Sequence, residues 1–298
     1  MTPDPLRDEL AEIATLLEPA SISLILGGGY GLVLRGRLLD AERRESRYKL
    51  RLPTRATADL DLFLSGAILT DPSKTKRIAE VLHERGFSAV EHNWQFAKPL
   101  GASGAPRQLT IDLLGADVPA EFAHLMHHSK DDRRIRPEGF AGLHARRVPE
   151  AVSIERYATK IEVSTDSNAV FVLIPHPISF LLMKLAAFRD RIGHADDERK
   201  ERAAYHAFDV FNTLATMSAA EWSEARGILS AADVIPVANE ARAIAAEYFG
   251  TARAPGVISM FDFVRTQLDS TVSLADRESF VKDLGDLLFA ADGASRNG

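Results

Sequence analysis

Residues 58–64 read Ala-Asp-Leu-Asp-Leu-Phe-Leu, and the period of that stretch decides the fold. Polar and apolar side chains alternating at period two mark a half-buried β-strand, because successive residues point to opposite faces. Leu60 and Leu62 then anchor the strand in a core, while Asp59 and Asp61 leave together from the other face. Two carboxylates held that close repel unless a cation sits between them, which makes this strand a candidate metal-binding element. A third carboxylate, Asp112, stands at the centre of a second apolar run, Gln108-Leu109-Thr110-Ile111-Asp112-Leu113-Leu114.

Upstream, Ser21 to Leu26 reads Ser-Ile-Ser-Leu-Ile-Leu and stops at Gly27, Gly28 and Gly29, the pattern of a buried strand ending in a glycine turn. A helix from Tyr30 to Leu39 should follow, and a strand that feeds a glycine turn and a helix start presents backbone N–H groups to phosphate. The spacing fits neither GxGxxG nor the P-loop. Leu6, Leu10, Ile13 and Leu17 predict an amphipathic helix over 4–18, and Ser73 to Arg85 predicts another, ended by Gly86. Phe87 to Phe96, Arg147 to Ile154 and Val170 to Ile174 read as strands, and Pro99 to Pro106 as a loop. From Pro177 on the period changes to 3.6, with helices expected over 178–191, 197–217, 219–231, 237–248, 259–268 and 273–290. The fold class is therefore mixed α/β, an α+β mixed-sheet core over 1–175 followed by an all-helical lobe over 176–298.

Composition narrows the chemistry. A chain of 298 residues is long for one domain, which favours two lobes, and it has no cysteine, which removes disulfide scaffolds and thiol nucleophiles. The start of the chain carries five acids by Glu18 against the single Arg7 and does not read as a signal peptide. The longest apolar stretch, Ile22 to Leu34, is broken by glycines and is too short for a membrane span. A cytoplasmic protein without membrane partners is expected. The net charge is −6, yet Arg35 to Arg55 carries eight bases against three acids, a local +5. A second basic cluster comprises Lys130, Arg133, Arg134, Arg136, Arg146 and Arg147. Such runs are either solvated faces or a phosphate-binding rim. His124 and His128 have the spacing of a helical metal pair, but the HExxH glutamate is missing, as is any GxSxG element.

A glycine turn, an hDhDh strand and a later hDh strand together resemble the DNA polymerase β-like nucleotidyltransferase superfamily. Gly27-Gly28 with Arg55-Ala56-Thr57-Ala58-Asp59-Leu60-Asp61-Leu62 resembles, more narrowly, the GG…RxTxDhDh signature of the AbiEii/AbiGii (MenT-like) toxin nucleotidyltransferases. Lys184-Leu185-Ala186-Ala187, with Arg189 or Arg191 and then Asp209, is similar to that family's KLxA…R…D block. The likeness covers roughly residues 20 to 215. It departs from the family in the long basic insert before Asp59, and in His206 where an acid often precedes Asp209.

The resemblance implies transfer of a nucleotide from an NTP to an RNA acceptor, tRNA above all, by the toxin of a toxin–antitoxin or phage-defence system with a cognate antitoxin partner. It implies two Mg²⁺ held by Asp59, Asp61 and Asp112, with Lys184 and Asp209 also in the catalytic set. Gly27, Gly28, Arg55, Thr57, Lys184 and Arg191 would bind the nucleotide. Two other readings stand beside it: the same chemistry on a small-molecule hydroxyl, as in antibiotic-modifying enzymes, and a non-catalytic nucleotide- or RNA-binding module of this fold.

Overall fold

A computed structural model describes residues 4–42, 57, 59–100, 107–125, 134–137, 142–163, 169–193, 197–268 and 273–289. The chain divides into two compact units, one made of Met1–Leu38 and Arg55–Pro175, the other of Leu39–Thr54 and His176–Gly298.

The first unit opens with helix α1 (Pro5–Leu17), started by Pro5 at its first position and by Asp4, whose side chain accepts from the Arg7 N–H at 3.2 Å. Strand β1 (Ile25–Leu26) leads into α2 (Gly28–Ala41), which ends in the second unit. Next come β2 (Asp59–Phe63), α3 (Gly66–Leu69), α4 (Pro72–Glu84), β3 (Ser88–Glu91), β4 (Gln95–Leu100) and β5 (Arg107–Gly115). The unit closes with β6 (Arg134–Ile135), β7 (Ala145–Arg147), β8 (Thr159–Glu162) and β9 (Phe171–Ile174). Among the described residues these strands form one mixed sheet in the order β3-β4-β5-β2-β1-β9-β8, with β7 joined to β5 and β6 joined to β7.

The sheet is mixed because β2 and β5 run parallel while β1 and β4 run antiparallel to them. Leu60, Leu62, Leu109, Ile111 and Leu113 are each at most 1% exposed on one face. Burying a side chain of that size contributes about 1.5–3 kcal/mol, so the apolar half of each alternation fixes which face the acids take. Buried Glu9 ties the helical layer to the sheet by accepting from Arg85 and Lys98. Burial raises its pKa, but those two cations hold the carboxyl below its usual value.

The second unit holds α5 (Pro177–Ile192), α6 (Asp197–Ala215), α7 (Ala219–Leu229), α8 (Ile235–Phe249), α9 (Pro255–Gln267) and α10 (Leu274–Phe289). Prolines at the first turns of α5, α8 and α9, and a Ser218–Glu221 capping box on α7, start these helices. Its core is aromatic: Phe188 meets Phe249 at 5.0 Å between ring centres, and Phe208 meets Phe263 at 4.9 Å. No helix among the described residues is long and apolar enough to cross a membrane.

Four local expectations change. The expected loop over Pro99 to Pro106 begins inside a strand, because β4 runs through Pro99 and Leu100, which pair with Gln108 and Arg107. Phe87 to Phe96 is two strands, β3 and β4, separated by His92 and Asn93 at φ of 43° and 58°. The span from Pro149 to Ile154 is not a strand: Pro149 brings no N–H, and Pro149–Ala151 forms a 3₁₀ turn after the short β7. Strand β8, which pairs antiparallel with β9, was not expected.

Candidate active site

Alternation along β2 and parallel pairing with β5 together build an acidic face. Asp61 pairs in register with Asp112, and Asp59 with Thr110. Residues in direct parallel register project to the same side, as do alternate residues of one strand, so Asp59, Asp61 and Asp112 share a face. The third carboxylate comes with a donor: Gln95 of β4 stands opposite Asp112, and its Nε2 donates to Asp112 Oδ1 at 2.8 Å. Burial and then the charges of Asp61 and Asp59 push the Asp112 carboxyl up to about 6, against the pull of the Gln95 hydrogen bond and of Arg146. Gln95 is a functional candidate the sequence did not reveal, because its place depends on register alone.

The glycine turn is fitted to the acids. Gly27 N–H donates to the Asp61 carbonyl at 2.8 Å, and Gly28 has φ of +58°. A Cβ on Gly28 would stand 1.6 Å from Asp61 Oδ2, and one on Gly27 would stand 2.4 Å from the Phe63 ring. Only a chain without side chains at both positions lets the backbone close on the carboxylate. The turn is also the start of α2, not a free loop before it.

No protein-family model matches this chain, and no curated protein does so significantly.

The chemistry of the donors, three hard oxygen carboxylates on one face against a cradle a Cβ would fill, fits a hard cation. Among the described residues no three His, Cys, Asp or Glu side chains are drawn together as a ready-made cation site, so the fit rests on register and donor type. Thr57 lies just before the strand, with its Oγ1 3.5 Å from the Asp59 N–H. Arg55 lies outside the described residues.

In the second unit, helices α5 and α6 carry the other candidates. Lys184 is 7% exposed and Asp209 2%, with Lys184 Nζ 2.7 Å from Asp209 Oδ2. A buried pair at that distance satisfies both charges, so neither residue is a solvated surface group. One to two turns away, Arg191 Nε donates to His206 Nε2 at 3.1 Å. That contact joins α5 to α6.

The basic runs separate into committed and uncommitted residues. Arg35 is 4% exposed, and Arg37 donates to Asp4 Oδ2 at 2.6 Å beside the Tyr30 hydroxyl, which donates to the same oxygen at 2.9 Å. Arg43 to Arg55 lies outside the described residues, as do Lys130, Arg133, His127 and His128. His124 lies in a short 3₁₀ turn. Arg147 forms a two-point pair with Asp117, whereas the exposed Arg146 enters no salt bridge with a described residue and lies over the Trp94 ring.

Proposed function

We propose that this chain is a Mg²⁺-dependent nucleotidyltransferase of the AbiEii toxin type, moving a nucleotide from an NTP to the end of an RNA, tRNA in the first instance. The observation that carries the reading is the register of Asp61 with Asp112 on one sheet face, with Asp59 beside them and Gly28 closed on Asp61. Three acids sharing one face beside a backbone cradle serve phosphoryl chemistry better than they serve simple binding, where their repulsion only costs stability.

Asp59, Asp61 and Asp112 would hold Mg²⁺, which when bound supplies charge neutralisation for the triphosphate and makes an acceptor hydroxyl more acidic. Gly27 and Gly28 let a triphosphate approach the backbone without obstruction from a Cβ. The acceptor oxygen attacks the α-phosphorus, a P–O bond to the acceptor forms, and the bond to pyrophosphate breaks. Asp112 faces Asp61 on the next strand, and Gln95 holds its Oδ1 in place by donating to it at 2.8 Å. The family resemblance would further make Lys184 and Arg191 of the helical unit phosphate cations, with Asp209 orienting Lys184. A cytoplasmic setting, where NTP, Mg²⁺ and RNA occur together, and a cognate antitoxin protein belong to the same proposal.

Incubation with each labelled NTP, Mg²⁺ and total RNA, followed by a denaturing gel, tests it. Label should enter an RNA band with the parent protein and fail to do so with Asp61→Asn of unchanged melting temperature. Label appearing only in small molecules would move the acceptor to the antibiotic type. Label appearing nowhere, with nucleotide still bound, would leave the non-catalytic module.

A further inference from the structure

Along one edge of β5 the neighbouring strand changes. Strand β4 pairs with it as far as Gln95 opposite Asp112, and β7 takes over with Arg146 opposite Leu114. Trp94 fills the handover: its carbonyl accepts from the Leu113 N–H at 2.8 Å, and its side chain is 8% exposed. The turn that delivers Trp94 is clamped from outside. His144 N–H donates to the Asn93 carbonyl at 2.8 Å, and His144 Nδ1 is 2.7 Å from the His92 carbonyl. Two successive non-glycine residues at positive φ are thereby held in one conformation.

The Arg146 guanidinium lies over the indole so fixed, 5.4 Å from the ring centre, within the range of a cation–π contact. Its register with Leu114 puts it on the same face as Asp112, one strand step further along. Arg134, in antiparallel register with Arg146, joins that face. Neighbouring Arg147 is taken by Asp117, while Arg146 is exposed and enters no salt bridge with a described residue. An exposed guanidinium seated on an aromatic plate, with no salt bridge to a described residue, is suited to phosphate.

Resting on the nucleotidyltransferase reading, we infer that Arg146, backed by Trp94, binds a backbone phosphate of the acceptor RNA beside Asp112. The strand order assigns it to acceptor and not donor. Across the acidic face the order is the glycine turn after β1, then Asp59 and Asp61 on β2, then Asp112 on β5, then Arg146 on β7. With strands about 4.8 Å apart, Arg146 lies roughly 10 Å from the line of Asp61, on the flank away from Gly28. A donor triphosphate seated against the glycines leaves that far flank to the chain that brings the attacking hydroxyl.

The test measures binding of a short fluorescent single-stranded RNA by anisotropy, in EDTA over a salt series, and binding of ATP with Mg²⁺ by calorimetry. Arg146→Ala should weaken RNA binding about tenfold and lower the salt slope by about 0.7, the value for one phosphate contact on a single strand. Arg146→Lys should keep the slope and recover part of the affinity, and ATP binding should stay within about twofold. Unchanged RNA binding and slope in Arg146→Ala, or an ATP affinity that falls by the same factor, overturns the inference. No turnover is involved, so the two proposals separate. A parent that binds RNA through Arg146 but transfers no label leaves the contact standing and removes the enzyme, and a parent that transfers label regardless of Arg146 does the reverse.

Discussion

Asp61 and Asp112 stand directly opposite each other on the parallel strands β2 and β5, so two carboxylates share one face at the spacing of adjacent strands.

Burial of Asp112 beside Asp61 carries a stability cost that depends on pH. The Asp112 carboxyl lies at about 6 in the folded protein against 3.8 ordinarily, chiefly through burial. The folded state therefore binds the proton more tightly than the unfolded chain does. Stability from this group is full below about pH 4 and is lost as pH rises through 6. We predict that Asp112→Asn gains up to about 3 kcal/mol at neutral pH, from ~1.4 kcal/mol per pKa unit, and almost nothing near pH 4. Urea denaturation in EDTA at both pH values checks it. A gain equal at both would mean that the side chain's shape, not its charge, sets the cost.

Gln95 acts in the opposite direction, because its amide donates to the ionised form of Asp112. Gln95→Leu removes that donor, and a hydrogen bond to a charged group is worth about 1.5–3 kcal/mol. The pH at which stability is lost should therefore fall further on the alkaline side of 6, and Mg²⁺ should be bound more weakly by calorimetry. A midpoint that stays where it was would show Gln95 to be packing only.

Among the described residues, two glycines with positive φ offer a matched pair. Gly86, at +81°, has open space where a Cβ would stand, whereas Gly28, at +58°, has the Asp61 carboxylate there. Gly86→Ala should cost only the left-handed backbone strain, about 1–2 kcal/mol. Gly28→Ala should cost more and displace Asp61, abolishing nucleotide transfer in whatever protein still folds. Thermal melting of both variants gives the comparison, and equal losses would remove the close approach from the argument.

The sequence revealed which residues alternate, and alternation alone placed Asp59 and Asp61 on one face and Asp112 on an apolar strand. It did not reveal register, because which residue of β5 meets Asp61 is settled by pairing across about fifty residues of intervening chain. Gln95 and Arg146 were hidden for the same reason: each matters only through the residue it faces. The His92–Asn93 turn carries none of the usual Asn-Gly or Asp-Gly chemistry, so β3 and β4 read as one strand. Val148, Val152 and Ile154 look β-forming, but Pro149 turns the chain into a 3₁₀ segment between them. The helical lobe was more legible, since its 3.6-residue period is local and its prolines mark the helix starts.

Lys184 and Asp209 present the sharpest test of what the helical unit contributes. They form a pair at 2.7 Å with both side chains almost entirely buried. Asp209→Leu takes from the buried Lys184 ammonium the carboxylate it faces at 2.7 Å, so that variant alone should destabilise by about 3–5 kcal/mol, and Lys184→Met also disturbs the interior by breaking the pair. Loss of activity in either single variant is therefore ambiguous. The combined Lys184→Met and Asp209→Leu variant removes both charges and replaces them with apolar volume, which is commonly neutral or stabilising. We predict that this double variant melts close to the parent and transfers no nucleotide, with the KM for NTP raised where residual turnover is measurable. If it is stable and transfers nucleotide at the parent rate, the pair is a structural bridge between α5 and α6, and the phosphate cation must be sought elsewhere. A double variant that is inactive but folded leaves chemistry as the reason for burying two charges where leucine and methionine would have packed.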